Sequence, residues 1–519
     1  MQPQRVKSAL LALVLFGFAV PGAKAEEGGG VAAPTGGAAS PGAGPGDVGL
    51  AVYAGTAPHA DQGLVVAGWL LYPSVFVGYT FNDNVYATKN NRIGASGVQL
   101  APSLEGGLDN GLWRTNVSFG ASGIYYPGWG GQTRTSYFTG TSVNDAGPSN
   151  VTGHASVSET WLPLADWAVI ASGNFIRTQG LFGASSPTNG FGLGTPGVTA
   201  PAFTPSYIPT IGTFSAQQQY TNMYGGQLSV QKTINERTSL SGSVFAQGVS
   251  YDSAPSVTQL VGGVPVNAAN TAAPSGMSYG ASLRGSFYAT PQIYVFVQPT
   301  VSLQRFDNSS ANSNGYSANV GVGSNLIGLF QGEVYGGWQE QTSVYGYFKP
   351  QSAPSFGASI RYLPTPILTL SLNFTQALGA TQSFGAGSAP TTAFNNAAVG
   401  LTQQVYISAD YGLNAYTNLS LRGGWGQTRN NGGSNFAGSG LPGLGLPGLG
   451  FPGSGYSTEI WSVGASLSYN FWRNTSINLG YSYQKTSNGG GGVSALLPNS
   501  NLLLGYTQNT FTAGIRYSY

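Results

Sequence analysis

The chain has 519 residues, of which 7% are charged, against about 25% in an ordinary soluble domain. Its 19 basic and 17 acidic residues nearly cancel, which leaves no basic surface for a nucleic acid. No cysteine is present, so disulfides, iron–sulfur clusters, thiol catalysis and a cysteine-linked lipid anchor are excluded. With 41% hydrophobic residues, 12% aromatic residues and 80 glycines, the choice lies between a Gly-rich fibre and a protein whose surface mostly avoids water.

Residues 1–25 read as a secretory signal. Arg5 and Lys7 precede an apolar run from Ala9 to Val20, and Ala23-Lys24-Ala25 makes a small-x-small cleavage site. Removal of this segment leaves 16 basic against 17 acidic groups. Residues 26–65 are rich in Gly, Ala and Pro and are expected to form a flexible periplasmic linker. No later stretch approaches the roughly 20 apolar residues of a membrane helix.

From about Trp69 onward the pattern is that of strands of about ten residues. In "LWRTNVSFGASGIYY", Trp113, Thr115, Val117, Phe119 and Tyr125 share one face, and Arg114, Asn116, Ser118 and Ser122 the other. "ILTLSLNFT" sets Leu368, Leu370, Leu372 and Phe374 against Thr369, Ser371 and Asn373. "IWSVGASLSYNF" and "INLGYSYQ" repeat the theme at Trp461–Phe471 and Ile477–Gln484. The polar face holds Ser, Thr, Asn and Gln where a soluble sandwich would show more Lys and Glu, so the pattern predicts a membrane barrel, apolar outside and polar within. About eighteen such stretches begin between residue 70 and residue 509.

Short and long links alternate between them. Short ones fall at Asp109-Asn110-Gly111, Leu164-Ala165-Asp166, Asn235-Glu236-Arg237, Thr290-Pro291-Gln292, Pro364-Thr365-Pro366, Asn414-Ala415-Tyr416 and Arg473-Asn474-Thr475. Long ones fall near 81–92, 127–153, 180–218, 252–277, 306–315, 342–354, 379–402, 430–457 and 486–508. This is the rhythm of an up-and-down barrel with tight periplasmic turns and long extracellular loops, here spanning 66–519. Trp69, Trp113, Trp161, Trp167, Trp338, Trp425, Trp461 and Trp472 lie near strand ends, as interfacial girdles require.

The chain closes on "FTAGIRYSY", with Phe511, Ala513, Ile515, Tyr517 and Tyr519 in one register. This is read as the closing strand, to pair with the strand near 70–80, because an open sheet edge cannot survive in lipid. Two stretches resemble the putative beta-barrel porin 2 family. "GYTFNDNVYAT" carries Gly78, Tyr79, Asp83, Asn84 and Val85 of the family's early signature, with Asn82 where the family pattern has an acidic residue. The ending from Tyr469 to Tyr519 is similar to that family's final strands. Phe511, Ile515, Tyr517 and Tyr519 also look like the terminal signal read by the barrel-assembly machinery. The resemblance implies an outer-membrane barrel and a pore, with no defined substrate.

No catalytic, cofactor or metal site is legible. His59 lies in the linker, and His154 shares a register with Ser156, Ser158 and Thr160 and reads as a lone polar lumen residue. "GLGTPG", Gly192–Gly197, fits a dinucleotide pattern but contains Pro and sits in a long loop. "GLPGLGLPGLGFPG", Gly440–Gly453, reads as a flexible surface loop, with an adhesive loop as the second option. What remains is the lumen. Glu105, Arg114, Arg284, Glu333, Arg361, Asp410, Arg422 and Arg516 fall in the inward register, five basic against three acidic. They predict a wide, weakly anion-preferring diffusion pore for small hydrophilic solutes, without a cofactor and not an enzyme. The 180–218 loop has no charge and is a candidate constriction. A barrel for polysaccharide or envelope export, and a non-conducting structural or adhesive barrel, are the alternatives. A plugged transporter is disfavoured because residues 26–65 are too few and too simple to form a plug. Partners would be the outer-membrane bilayer, the assembly machinery during biogenesis, the solutes, and further copies of the chain if it oligomerises.

Overall fold

The computed structural model describes residues 63–85, 92–127, 133–135, 142–144, 150–164, 166–181, 218–251, 257–261, 264–268, 275–307, 312–327, 329–345, 350–384, 395–430, 456–472, 474–489 and 505–519. The 1–25 segment, nearly all of 26–65, "GLGTPG", and most of the 430–457 run and of the 180–218 loop lie outside the described residues.

Eighteen antiparallel strands form the wall. They are β1 (Trp69–Asn82), β2 (Ala95–Asp109), β3 (Trp113–Tyr125), β4 (Asn150–Leu164), β5 (Trp167–Leu181), β6 (Gln218–Asn235), β7 (Thr238–Tyr251), β8 (Gly276–Tyr288) and β9 (Ile293–Phe306). The second half is β10 (Ser313–Ile327), β11 (Phe330–Ser343), β12 (Gln351–Thr365), β13 (Leu368–Phe384), β14 (Asn395–Asn414), β15 (Thr417–Asn430), β16 (Tyr456–Trp472), β17 (Thr475–Gly489) and β18 (Tyr506–Ser518). Each pairs with its sequence neighbour, and β18 returns to β1, so the barrel is closed. A short strand, Leu64–Val66, folds back on the start of β1 through Ala67-Gly68, both at positive φ (50° and 84°). Such a two-residue turn matches the strand twist.

The strands run from 13 to 20 residues, longer than the ten expected from the sequence. About ten suffice to cross the bilayer, and the excess continues the ladder beyond it. One consequence is a shorter link between β13 and β14, which stay paired out to Phe384 and Asn395. Short hairpins, Thr133–Thr135 with Ser142–Asn144 and Val257–Val261 with Val264–Ala268, occupy two of the long connections.

The tight turns are held by side chains mimicking the backbone. Asp109 Oδ1 accepts from the Gly111 amide (2.8 Å) and Asn110 Oδ1 from the Trp113 amide (2.7 Å). Asn235, Thr290 and Asn414 do the same for Arg237, Ile293 and Tyr416.

Burial identifies the two faces. Along β9, Tyr294, Phe296, Gln298, Thr300, Ser302 and Gln304 are buried, while Val295, Val297, Val301 and Leu303 are exposed. Among described residues, polar side chains outnumber apolar ones in the buried set, and the exposed set is filled with Val, Leu, Ile and aromatics. A water-soluble fold would invert this. The exposed register is therefore the lipid face and the polar register the inner wall. Trp113, Trp161, Trp167 and Trp472 lie at the tight-turn end, with Trp113 stacked on Trp161 at 5.2 Å. Trp338, Trp425 and Trp461 lie towards the other end. From Phe330 to Trp338 is about 26 Å along the strand, or about 20 Å along the barrel axis at a tilt near 40°, close to the height of an apolar membrane band.

Candidate functional site: the inner wall and the seam

All eight charges singled out in the sequence lie in the polar register, but they form three different settings. Arg114 sits at the tight-turn rim and pairs with Asp109 at 3.0 Å, both more than half exposed. Asp109 shares the register of Glu105 on β2 and adds a negative charge to the eight.

Arg284 on β8 and Glu333 on β11 form the second setting. The guanidinium meets the carboxylate through two contacts, Nη2 to Oε1 at 2.6 Å and Nη1 to Oε2 at 3.3 Å, with side chains only 10% and 8% exposed. Two strands separate them, so the side chains must lie along the wall. Gly321 and Gly323 on β10 make this possible: the rings of Phe296 and Tyr294 on β9 cover them, and a Cβ at Gly321 would stand 2.5 Å from the Phe296 ring. The Arg284 guanidinium rests 3.7 Å from the Phe296 ring centre, and its Nε reaches Ser286 at 3.3 Å. The Tyr294 hydroxyl donates to Glu333. A buried charge pair is tolerated only with such full satisfaction. The ring-over-glycine arrangement recurs on the inner wall at Phe245 over Gly280, Tyr335 over Gly357, and Phe76 over Gly78 and Gly514.

The third setting holds the other five charges, on the same polar register. Glu105 is exposed on β2 and Arg361 on β12. Arg361 is level with Ser371, Ser371 with Ser408, and Ser408 with Arg422, so β12–β15 carry two arginines separated by two serines. Asp410 lies one step along on β14 and accepts from Ser420 Oγ at 2.6 Å. Arg516 on β18 stands beside Phe76 and Ser476. Tyr294 and Phe296, which shape the buried pair, carry no charge and were not foreseen; their strict alternation with valines was the available signal.

His154 lies on the inner wall with its ring over Gly120 and Nε2 3.4 Å from Ser118 Oγ. No carboxylate is bonded to it among the interactions described. Among the described residues there is no group of three or more His, Asp or Glu able to hold a metal.

The seam explains the "GYTFNDNV" stretch. β1 and β18 pair from Ser74–Ser518 to Asn82–Thr510. Beyond the last pair, Asp83 accepts from the Asn509 amide and from Asn509 Nδ2, both at 2.6 Å. Asn84, fully buried, donates to the Thr507 carbonyl at 2.8 Å, and Val85 packs with Ala95 and Tyr126. Asn82 Oδ1 accepts from the Asn84 amide (2.9 Å), which needs an acceptor and not a charge, so the absent acidic residue costs nothing here. At the opposite end, the Tyr519 amide donates to the Pro73 carbonyl at 3.1 Å. Phe511, Ile515, Tyr517 and Tyr519 are all exposed on the lipid face.

A closed barrel with an apolar outer band, aromatic girdles and a polar inner wall is an outer-membrane β-barrel. Residues 203–434 match the family described as Putative beta-barrel porin 2. This is the family resembled in sequence, although the matched span excludes both stretches that carried the resemblance. No curated protein matches the chain. Among solved structures, the siderophore receptor PirA from Acinetobacter baumannii is similar at 9% identity, covering 86% of this chain and 80% of that one, with a TM-score of 0.40. The FrpB iron transporter from Neisseria meningitidis is similar at 10% identity, 88% and 82% coverage and a TM-score of 0.38. At scores this low the likeness assigns no substrate to this chain.

Proposed function

We propose that the barrel is a passive channel for small hydrophilic solutes, with a weak preference for anions. The carrying observation is the solvated charged strip on β12–β15. With Arg284 and Glu333 neutralising each other in the wall, and Arg114 paired with Asp109, the strip on β12–β15 sets the local balance, Arg361 and Arg422 against Asp410. The excess of one positive charge sets a small bias, since charged groups lining a pore set its ion preference. Eighteen strands at ~4.8 Å spacing and a tilt near 40° close on a backbone diameter of roughly 35 Å, enough to leave an aqueous channel after the side chains are placed. The scheme requires no bound group, and the chain would be exported through a cleaved 1–25 signal.

Single-channel recording of the refolded 26–519 protein in a planar bilayer tests this. Stable steps on the order of a nanosiemens, with a reversal potential in a salt gradient displaced towards the anion side, are expected for a channel of this width. Silence from a barrel shown to be folded by its heat-modifiable gel mobility overturns the channel reading.

A further inference from the structure

The lipid face is not uniform at the long-loop end. Over β1–β3 it holds Tyr79, Val98, Leu100 and Tyr125, exposed and uncharged. Over β15–β17 it is built differently. Trp425 and Trp461 both donate their indole N–H to one oxygen of Glu459, at 2.8 and 2.9 Å, and Ser487 Oγ lies 3.4 Å from the other oxygen. Glu459 is level with Gln427, and Gln427 accepts from Arg429 Nε at 3.0 Å. Lys485 is level with Trp461 on the other side, and both Lys485 and Arg429 are exposed. Directly below, towards the membrane centre, Leu421 and Val463 are exposed.

Three chemistries therefore meet in one patch. An exposed indole beside a fixed carboxylate and an amide is suited to a sugar ring, which offers an apolar face and a rim of hydroxyls. Two cations flank it, suited to phosphate. The apolar surface beneath is suited to acyl chains. The patch points into the membrane, at the end opposite the tight periplasmic turns, so its neighbour is the outer leaflet.

We propose that this patch binds the headgroup of a phosphorylated glycolipid of the outer leaflet, with Trp461 under a sugar, Glu459 and Gln427 on its hydroxyls, and Arg429 and Lys485 on phosphate. The inference rests on the outer-membrane location and not on conduction. The test uses the folded barrel in phosphatidylcholine bilayers containing either lipopolysaccharide or phosphatidylglycerol at matched charge. Glycolipid retained per barrel after washing in detergent is quantified, together with the temperature at which folded gel mobility is lost. The wild type is expected to retain lipopolysaccharide and gain heat resistance from it, but not from phosphatidylglycerol. Arg429→Gln with Lys485→Gln should weaken retention about tenfold or more through loss of two charge-assisted contacts, and Trp461→Ala severalfold. Arg305→Gln, an outward arginine on β9, should leave glycolipid retention unchanged. Equal retention of phosphatidylglycerol, wild-type retention by the double variant, or an equal loss from Arg305→Gln would each overturn the proposal.

Discussion

The inner wall over β8–β11 and the inner wall over β12–β15 are made from the same alternating pattern, yet they treat charge in opposite ways. In the first arc, glycines on β10 open a trough, aromatic rings from β9 fill it, and one arginine and one glutamate lie flat and buried across it. In the second arc, serines separate an exposed arginine, Arg361, from a half-buried one, Arg422. A mutually paired, buried charge contributes to holding the wall together and little to the field in the pore. A solvated charge contributes little to stability and much to that field. Counting charges by register alone treats the two as equal.

The largest effect that separates the arcs is expected at Glu333. Glu333→Ala leaves Arg284 buried without its carboxylate and removes the acceptor of Tyr294, which should cost about 3–5 kcal/mol. Arg361→Ala, in the solvated arc, should cost less than about 1 kcal/mol. Urea titration of the folded gel band in bilayers measures both; similar midpoints for the two variants would erase the distinction between the arcs.

The seam resembles the buried arc, because its charge is also spent on structure. Asp83 takes two short bonds from Asn509, just beyond the last ladder pair. Asp83→Ala is expected to cost about 1.5–3 kcal/mol, the range for bonds to a charged acceptor. Loss of heat resistance in the folded band, with unchanged ion preference in whatever current remains, is the expected pairing of results. A changed preference with full stability would move Asp83 into the pore-lining group.

A somewhat smaller cost belongs to the trough. At Gly323 a Cβ would collide with the Tyr294 ring, so Gly323→Val should destabilise by about 1–3 kcal/mol through overpacking. Gly285, on the lipid face of β8, has nothing within 4 Å of an added Cβ, and Gly285→Ala should be nearly neutral by the same assay.

The strand count, the closure and the two faces were legible in the sequence because lipid imposes a period of two on every crossing. Residues such as Leu368, Leu370 and Leu372 against Thr369 and Ser371 state it without help from distant parts of the chain. Partners three strands away are another matter. Nothing near Arg284 in sequence indicates Glu333, since their meeting depends on two glycines of a third strand and two rings of a fourth. The Asp83 latch was visible only as a resemblance, because its partner Asn509 lies at the far end of the chain and is brought there by closure. Strand length was underestimated because hydropathy marks only the part of each strand that crosses lipid.

The smallest change in stability should accompany the clearest change in conduction. Arg361→Glu with Arg422→Glu alters solvated groups on an already polar floor of serines, so the folded band should shift by less than about 1 kcal/mol. The same pair of substitutions turns the excess of positive charge in the β12–β15 strip into an excess of negative charge, and the reversal potential should change sign towards cations. Salt sharpens the reading. Solvated charges act over a Debye length of about 10 Å at 0.1 M and about 3 Å at 1 M, so the difference from wild type should shrink as salt is raised. Arg284→Gln with Glu333→Gln supplies the converse, because it removes both charges of the buried pair at once and leaves the net charge of the wall unchanged. If the buried arc does not contribute to the pore field, the reversal potential of that variant stays near wild type at every salt concentration, even as its stability falls.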